Sequence, residues 1–315
     1  MKVFITGGAG FIGSHLVQRM LDEGNSVTIY DNFSTGNKRF LDSSINNKNL
    51  NVINADLLEN EKLINSMNQH DFVFHLAANA DVRFGTDHPR KDLEQNIIVT
   101  HNVLEAMRLN KIRKIAFSST GSIYGESKII PTPEDVSFPL QTSLYGASKL
   151  SGEGLISAYC EGFNMQAWIF RFVSILGERY THGHVYDFYK QLRDDHSKLN
   201  VLGDGNQKKS YLYVKDCIDG IIHAIQNSDD KINIFNLGTN EYVTVKESIS
   251  IICNELKLNP ELIFSGGERG WVGDNPFIWL DCNKINSNGW NPKLSISKSI
   301  RKTVNWIKNN EWIVS

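Results

Sequence analysis

Lys2-Val-Phe-Ile-Thr-Gly-Gly-Ala-Gly-Phe-Ile-Gly13 is the stretch on which the fold turns. Its opening apolar run suits a buried strand, and from Ile12 to Glu23 apolar residues recur at helical spacing. Gly7, Gly10 and Gly13 lie in the turn between the two. Glycines so placed let the chain reverse sharply, bring backbone N–H groups up to a pyrophosphate, and let the helix lie close to its strand. The helix N-terminus, opening at Phe11 and Ile12, adds a favourable field for phosphate charge. A glycine-rich turn alone can be a plain tight loop. The strand before it and the helix after it favour a nucleotide site.

The same alternation continues outward. Val27–Tyr30, Asn51–Ile53, Phe72–Phe74, Ile115–Phe117 and Ala167–Phe170 read as further strands. Leu57–Asn68, Leu93–Leu109 and Gly146–Cys160 read as helices between them. Apolar runs without strict alternation suit strands covered on both faces. The rhythm predicts an α/β fold, a Rossmann doubly wound parallel sheet over residues 1–172. Beyond it the rhythm loosens. Strand candidates Asn200–Leu202, Ile232–Leu237 and Leu262–Phe264 mix with helices near His184–Asp194, Val214–Asn227, Val245–Leu256 and Ser295–Asn309. Residues 173–315 are expected to form a smaller C-terminal α/β lobe for the substrate, with some elements crossing between the two.

A length of 315 residues is more than one compact core usually holds. A hydrophobic share of 41% and a net charge of −2 describe a globular chain. Nucleic acid or anionic membrane would need clustered excess Lys and Arg, so neither is an expected partner. Lys111-Ile-Arg-Lys114 is too short for such a patch and reads as a solvated turn. Cys160, Cys217, Cys253 and Cys282 form no C-x-x-C pair, which argues for reduced thiols over zinc or a redox dithiol. There is no run of ~18 apolar residues. A strand already begins at Lys2, so no signal peptide is expected, and the location read from this is cytoplasmic.

Two further features carry chemistry. Asp31 ends the second strand, 18 residues past Gly13. A carboxylate there accepts hydrogen bonds from adenosine ribose hydroxyls and repels a 2′-phosphate, which favours NAD over NADP. Asp56, after the third strand, is placed either to contact the adenine or to cap the next helix. Tyr145-Gly-Ala-Ser-Lys149 then sets Tyr and Lys four apart, on one face of a helix. A neighbouring ammonium and a positive nicotinamide ring both stabilise phenolate. Bringing a tyrosine from a pKa of about 10 to about 7 takes roughly 4 kcal/mol. Such pairs are common by chance. Here Ser118-Ser-Thr120 follows the fifth strand, at the carboxyl edge where ligands of such folds bind. A hydroxyl there can hold the reacting oxygen or simply form a turn.

Thr6–Leu16, Asp31-Asn-Phe-Ser-Thr-Gly36, His75-Leu-Ala-Ala78, Ser118–Gly125, Tyr145–Lys149, Arg171–Gly177 and Gly203–Asp216 follow one another along most of the chain. In these segments the sequence resembles the extended short-chain dehydrogenases/reductases, the NAD-dependent nucleotide-sugar epimerases and dehydratases. Among them it is most similar to the UDP-glucose 4-epimerase branch. The resemblance implies Tyr145 as acid/base, Lys149 as its partner and holder of the nicotinamide ribose, and Thr120 as the residue bonding the sugar 4-hydroxyl. It implies a cofactor set of Gly7, Gly10, Phe11, Ile12, Gly13, Asp31, Asn32, Asp56, Leu57, Ala77, Ala78, Asn96 and Ser118, joined by Tyr145 and Lys149. It also implies a homodimer through the Leu93–Leu109 and Gly146–Cys160 helices.

All branches of that family begin by removing the 4-hydroxyl proton while C4 gives hydride to NAD⁺. Dehydratases then use an extra acid and base from a Thr-Asp-Glu run, where this chain has Thr120-Gly-Ser122. Decarboxylating relatives carry Glu at the last of these positions, and Ser122 is no charged replacement. Subtraction favours an NDP-sugar 4-epimerase, inverting C4 through a transient 4-keto sugar and NADH. A 4,6-dehydratase or reductase is the alternative enzyme. A non-catalytic NAD-binding scaffold is the alternative outside catalysis, and the intact Thr120, Tyr145 and Lys149 speak against it.

The diphosphate of a UDP-sugar calls for cations. The family's Arg after Gly-Asp-Gly-x-Gln is here Lys209, which neutralises phosphate but lacks the bidentate fork. Arg269, in Glu268-Arg-Gly-Trp-Val-Gly-Asp274, resembles a late family element with altered spacing; it is a phosphate candidate or an exposed loop arginine. Ser174 stands where the family has Asn. Arg83, equally fit for a surface pairing, and Ser122 complete the substrate candidates. Thr181-His-Gly-His184 has no third ligand nearby in sequence, so no metal site is expected.

Overall fold

In chain order the strands are β1 (Lys2–Thr6), β2 (Ser26–Asp31), β3 (Leu50–Asn54), β4 (Phe72–His75), β5 (Lys114–Thr120), β6 (Gln166–Phe172), β7 (Ser174–Leu176), β8 (Lys198–Val201), β9 (Lys208–Lys209), β10 (Tyr211–Tyr213), β11 (Ile232–Leu237), β12 (Val243–Thr244), β13 (Glu261–Phe264) and β14 (Phe277–Ile278). The helices are α1 (Phe11–Asp22), α2 (Asn60–Ser66), α3 (Val82–Asp87), α4 (Pro89–Asp92), α5 (Val99–Leu109), α6 (Leu144–Phe163), α7 (His184–Asp194), α8 (Val214–Asn227), α9 (Val245–Leu256), α10 (Asn283–Ser287) and α11 (Ile296–Lys308). This computed structural model describes residues 1–137, 140–271 and 273–314. The side chains of Arg83 and Phe84 lie outside that description, and with them the expectation placed on Arg83.

The chain divides into two compact units. The first comprises Met1–Ile123, Leu144–Arg171 and Ile221–Phe235; the second comprises Tyr124–Ser143, Phe172–Gly220 and Asn236–Ser315. A seven-stranded sheet has the order β11-β6-β5-β4-β1-β2-β3. β1 pairs in parallel with β2 and β4, as do β2 with β3 and β4 with β5. The middles of β1 and β4 are apolar because both faces are covered: Val3, Phe4, Ile5 and Val73 are fully buried. β3, at the sheet edge, carries exposed Asn51 and Asn54 instead. The order reverses between β1 and β4, and ligands of such sheets bind at this switch point, beyond the carboxyl ends of the strands. The doubly wound Rossmann expectation is met.

In the second unit, β7 pairs in parallel with β10, β8 with β13, and β9 lies between β12 (antiparallel) and β14 (parallel). Helices α7, α9 and α11 pack together. A capping box of Thr244 and Glu247 starts α9, and Ser295 caps α11. Helices α7, α8 and α9 span the ranges read from the sequence. Two readings shift. The helix expected from Leu57 begins at Asn60, because Asp56 first folds the chain into a turn by accepting from the Leu58 N–H. The helix expected over Leu93–Leu109 is interrupted: Leu93–Ile98 is a π-helical turn, and the α-helix proper starts at Val99. Among the described residues no helix is long and apolar enough to cross a membrane.

Candidate active site

The glycine turn is shaped by the chain's own close approaches. Gly7 adopts φ +70°, and a Cβ there would lie 2.8 Å from the Ala77 backbone nitrogen, beyond β4. A Cβ on Gly13 would lie 2.1 Å from the Gly7 carbonyl oxygen. Gly10 differs: its Cβ direction meets only the Gly7 oxygen, at 3.2 Å, and is otherwise open. Gly10 is also the N-cap of α1, with no side-chain cap and no acidic residue in the first turn. Phe11 is buried and Ile12 half-buried. An uncapped helix N-terminus behind an open glycine fits the pyrophosphate of a dinucleotide.

Asp31 is buried at the end of β2, where its carboxylate accepts from Ala9 N (2.9 Å) and Phe33 N (2.8 Å). Burial raises its pKa, and these two bonds pull it back. The carboxylate thus ties the glycine turn to the second strand. Asn32 donates to Asp56 Oδ2 at 2.8 Å. The Asp56 N–H donates to Glu59 Oε1, and Leu57 is buried with its carbonyl bonded by Asn102. Asp56 therefore forms a turn ahead of α2, and it is not that helix's N-cap, which is Glu59.

A one-way hydrogen-bond chain crosses the switch point. Thr100 Oγ1 donates to the Asn96 carbonyl (2.6 Å), so it accepts from His75 Nε2 (3.0 Å). His75 Nδ1 then accepts from Thr6 Oγ1 (2.8 Å), which itself accepts from Ala77 N (3.2 Å). Burial, and secondarily the charge of Lys149, press the His75 pKa to about 3, so it stays neutral and carries one ring proton. Asn96 lies in the π-helical turn, buried. Its amide accepts from Asn79 N (2.8 Å) and donates to Asp92 Oδ1 (3.2 Å) and Ser148 Oγ (2.8 Å). Ser148 passes the link to the Tyr145 carbonyl at 2.8 Å. Ala78 lies half-buried between His75 and Asn79.

Three consecutive residues of β5 hold α6. The Ser118 carbonyl accepts from Lys149 Nζ (2.8 Å), Ser119 Oγ donates to Glu153, and Thr120 shares a side-chain hydrogen bond with Tyr145. Lys149 lies 4.8 Å over the Phe117 ring. Gly152 permits this, since a Cβ there would come within 2.9 Å of the same ring. Ser122 turns back onto Thr120 through its N–H (3.1 Å) and its Oγ (3.3 Å). Burial pushes Tyr145 up to about 12; the Thr120 bond opposes this, and the charge of Asp92 adds to it. Burial pulls Lys149 down to about 7, against the charges of Glu153 and then Asp92.

The second unit holds the remaining candidates. Ser174 opens β7 and is exposed. Lys209 Nζ donates to Asp274 Oδ1 (2.8 Å) and to the Asn275 carbonyl. Arg269 donates to the Asp274 carbonyl (2.9 Å) and pairs with Glu126. Both expected cations thus come to Asp274, and both already face a carboxylate. His184 is set between Ser248 Oγ (2.6 Å) and the Tyr211 hydroxyl (3.0 Å), and burial presses its pKa to about 3. The sequence reading did not single out Asn79, Asp92, Ser148 or Glu153. Their only signal was polarity at helix-face or loop positions, which is indistinguishable from a solvated surface.

The family model for the NAD-dependent epimerase/dehydratase family matches residues 3–238. The chain is 30% identical to a UDP-glucose 4-epimerase of Corynebacterium glutamicum, over 93% of this chain and 91% of that one. It is 29% identical to a UDP-N-acetyl-alpha-D-glucosaminuronate decarboxylase of Bacillus cytotoxicus, over 98% of each. A UDP-glucuronic acid 4-epimerase from Bacillus cereus, solved with UDP-glucuronic acid and NAD, superposes with a TM-score of 0.90. That match has 29% identity and covers 98% of this chain and 100% of the other.

Proposed function

The chain belongs to the NAD-dependent epimerase/dehydratase family, and on that premise we propose that it is an NDP-sugar 4-epimerase acting on a UDP-sugar. The observation that carries the reading is the company Tyr145 keeps. Thr120 and Lys149 join it, while the next residues along are Gly121 and a Ser122 turned back onto Thr120. Two buried carboxylates flank the pair: Glu153 is held by Arg171 and Ser119, and Asp92 by Asn79 and Asn96. A site with one proton-transfer group suits inversion, which needs no second acid or base.

Tyr145 takes the proton of the sugar 4-hydroxyl while Thr120 orients that oxygen. NAD, when bound at the glycine turn, supplies the two-electron acceptor and donor. Bringing Tyr145 from about 12 to the neutral range requires about 7 kcal/mol of phenolate stabilisation. Lys149 contributes part of this as an ammonium. The 4-keto sugar then turns, presents its other face, and receives the proton back from Tyr145, with no net redox change. Gly7, Gly10, Phe11, Ile12, Gly13 and Asp31 hold the dinucleotide; Asn32, Asp56, Leu57, Ala77, Ala78, Asn96 and Ser118 line it. Ser122, Ser174, Lys209, Arg269 and Arg83 are the substrate candidates. A cytoplasmic homodimer through α5 and α6 belongs to the same reading, supported by the exposed apolar Ile98, Leu109 and Phe163 of that region.

The test is incubation with UDP-glucose, UDP-galactose, their N-acetyl forms and UDP-glucuronic acid, followed by NMR at C4. Interconversion of two C4 epimers without net NADH is expected. A product lighter by one water or one carbon dioxide, or stoichiometric NADH consumption, overturns it. Light scattering of the purified protein tests the dimer.

A further inference from the structure

Among the described ion pairs of the first unit, Arg171–Glu153 alone is buried at both ends, with side chains 2% and 6% exposed. Its geometry is well satisfied: Arg171 Nε and Nη2 reach Glu153 Oε1 (3.1 Å) and Oε2 (2.8 Å), and Ser119 Oγ donates to Oε1. Stability alone does not explain it, because well-packed apolar residues in place of a buried ion pair often serve the fold as well or better. Its position is more telling. Glu153 lies on α6 one turn beyond Lys149, the spacing at which helix side chains become neighbours. The hydrogen bond described for Lys149 Nζ goes to a neutral carbonyl, that of Ser118, and the ammonium lies 4.8 Å over the Phe117 ring.

We infer that the Glu153–Arg171 pair is a positioning device for Lys149, fixing a negative charge one helical turn away that keeps the lysine protonated beside Tyr145. Arg171 pairs with Glu153 inside the fold, Ser119 ties the carboxylate to β5, and Lys149 carries the effect onward. The groups around Lys149 fit this division. Tyr145 on α6 is neutral until it reacts, and His75 on β4 is held neutral. Asp92 on α4 is the second charge opposing the burial of Lys149, after Glu153. Since Lys149 stands at about 7 with Glu153 already opposing its burial, losing Glu153 moves it below neutrality. The inference rests on Tyr145 and Lys149 being the catalytic pair, and its test is built to separate the two.

Glu153→Gln keeps the shape and removes the charge, while Glu153→Asp keeps the charge and shortens the reach. Glu153→Gln with Arg171→Met leaves no stranded charge and guards against a variant that merely fails to fold. Two readouts are taken: kcat against pH, and the titration of Lys149 by NMR of protein labelled at lysine Cε and Nζ. In Glu153→Gln and in the double variant, the Lys149 midpoint falls by about one pH unit, roughly tenfold in its charged fraction above the midpoint. The rising limb of kcat moves to higher pH, whereas Glu153→Asp retains the parent profile at a lower rate. An unmoved Lys149 midpoint in both charge-removing variants, with activity lost equally at every pH, reduces the pair to a structural brace. Should Tyr145→Phe remain active, the catalytic reading falls, and the Lys149 titration still decides this inference.

Discussion

The two units treat their polar side chains in opposite ways. In the first, the groups expected at the reacting alcohol and cofactor are tied to one another and to the backbone: Lys149 to Ser118, Tyr145 to Thr120, Asn96 to Ser148. In the second, the cations expected for the diphosphate are tied to internal carboxylates, Lys209 to Asp274 and Arg269 to Glu126. The first arrangement is preset, so its geometry does not wait for a ligand. On the proposed function the second is an exchange, in which an incoming anion would replace or share a partner already present. Each cation then contributes only the difference between two ion pairs.

That contrast can be broken in four ways. Tyr145→Phe should lower kcat by about a thousandfold with little change in KM, the middle of the range for a lost acid/base. A variant keeping a tenth of the parent rate in a steady-state assay would refute the preset chemistry of the first unit. Lys209→Met strands Asp274, which is 3% exposed, and should destabilise the protein by about 3 kcal/mol in urea melts. An unchanged melt would mean that the second unit does not depend on its internal pairing.

The third prediction compares one histidine from each unit. His75 and His184 both have folded pKa values of about 3 against an ordinary 6.5. The unfolded chain therefore binds protons that the fold refuses between those values. Stability is full above pH 6.5 and falls as pH drops, by about 1.4 kcal/mol per pH unit for each group. Urea denaturation at pH 7.5 and pH 5 should show this loss, and His75→Asn and His184→Asn should each remove about half of it. Arg269→Gln is the smallest effect. It should raise KM for the UDP-sugar a few-fold and leave kcat alone, because the half-exposed side chain pairs in screened surroundings. A fall in kcat would show that Arg269 does more than exchange partners.

Much of the first unit was legible because its signals are periodic and local. The strand–turn–helix of residues 2–22 and the two-face burial of the central strands follow from neighbouring residues alone. Helices α7, α8 and α9 were legible for the same reason. β9, β12 and β14, of two residues each, are too short to display a period. The π-helical turn at Leu93–Ile98 was hidden because Asn96 is engaged there by Asn79 and Ser148, distant in sequence. Glu153 looked like a surface charge until Arg171, eighteen positions later, was found beside it. Tyr145, Lys149 and Thr120 were readable as residues. The bonds that register them to each other were not, since strand and helix meet only in the folded chain.

The grip of β5 on α6 has a consequence for inheritance. Ser118, Ser119 and Thr120 fasten Lys149, Glu153 and Tyr145, so the helix is indexed against the strand at three successive points. A slip of one residue would break all three together. The segment between Gly125 and Ser143 therefore does not set the register of the tyrosine–lysine pair. What that segment can change is set by its own partners in the second unit, Arg269 on Glu126, Trp279 on Thr132 and Asn236 on Glu134, and so can be inherited separately from the strand–helix register.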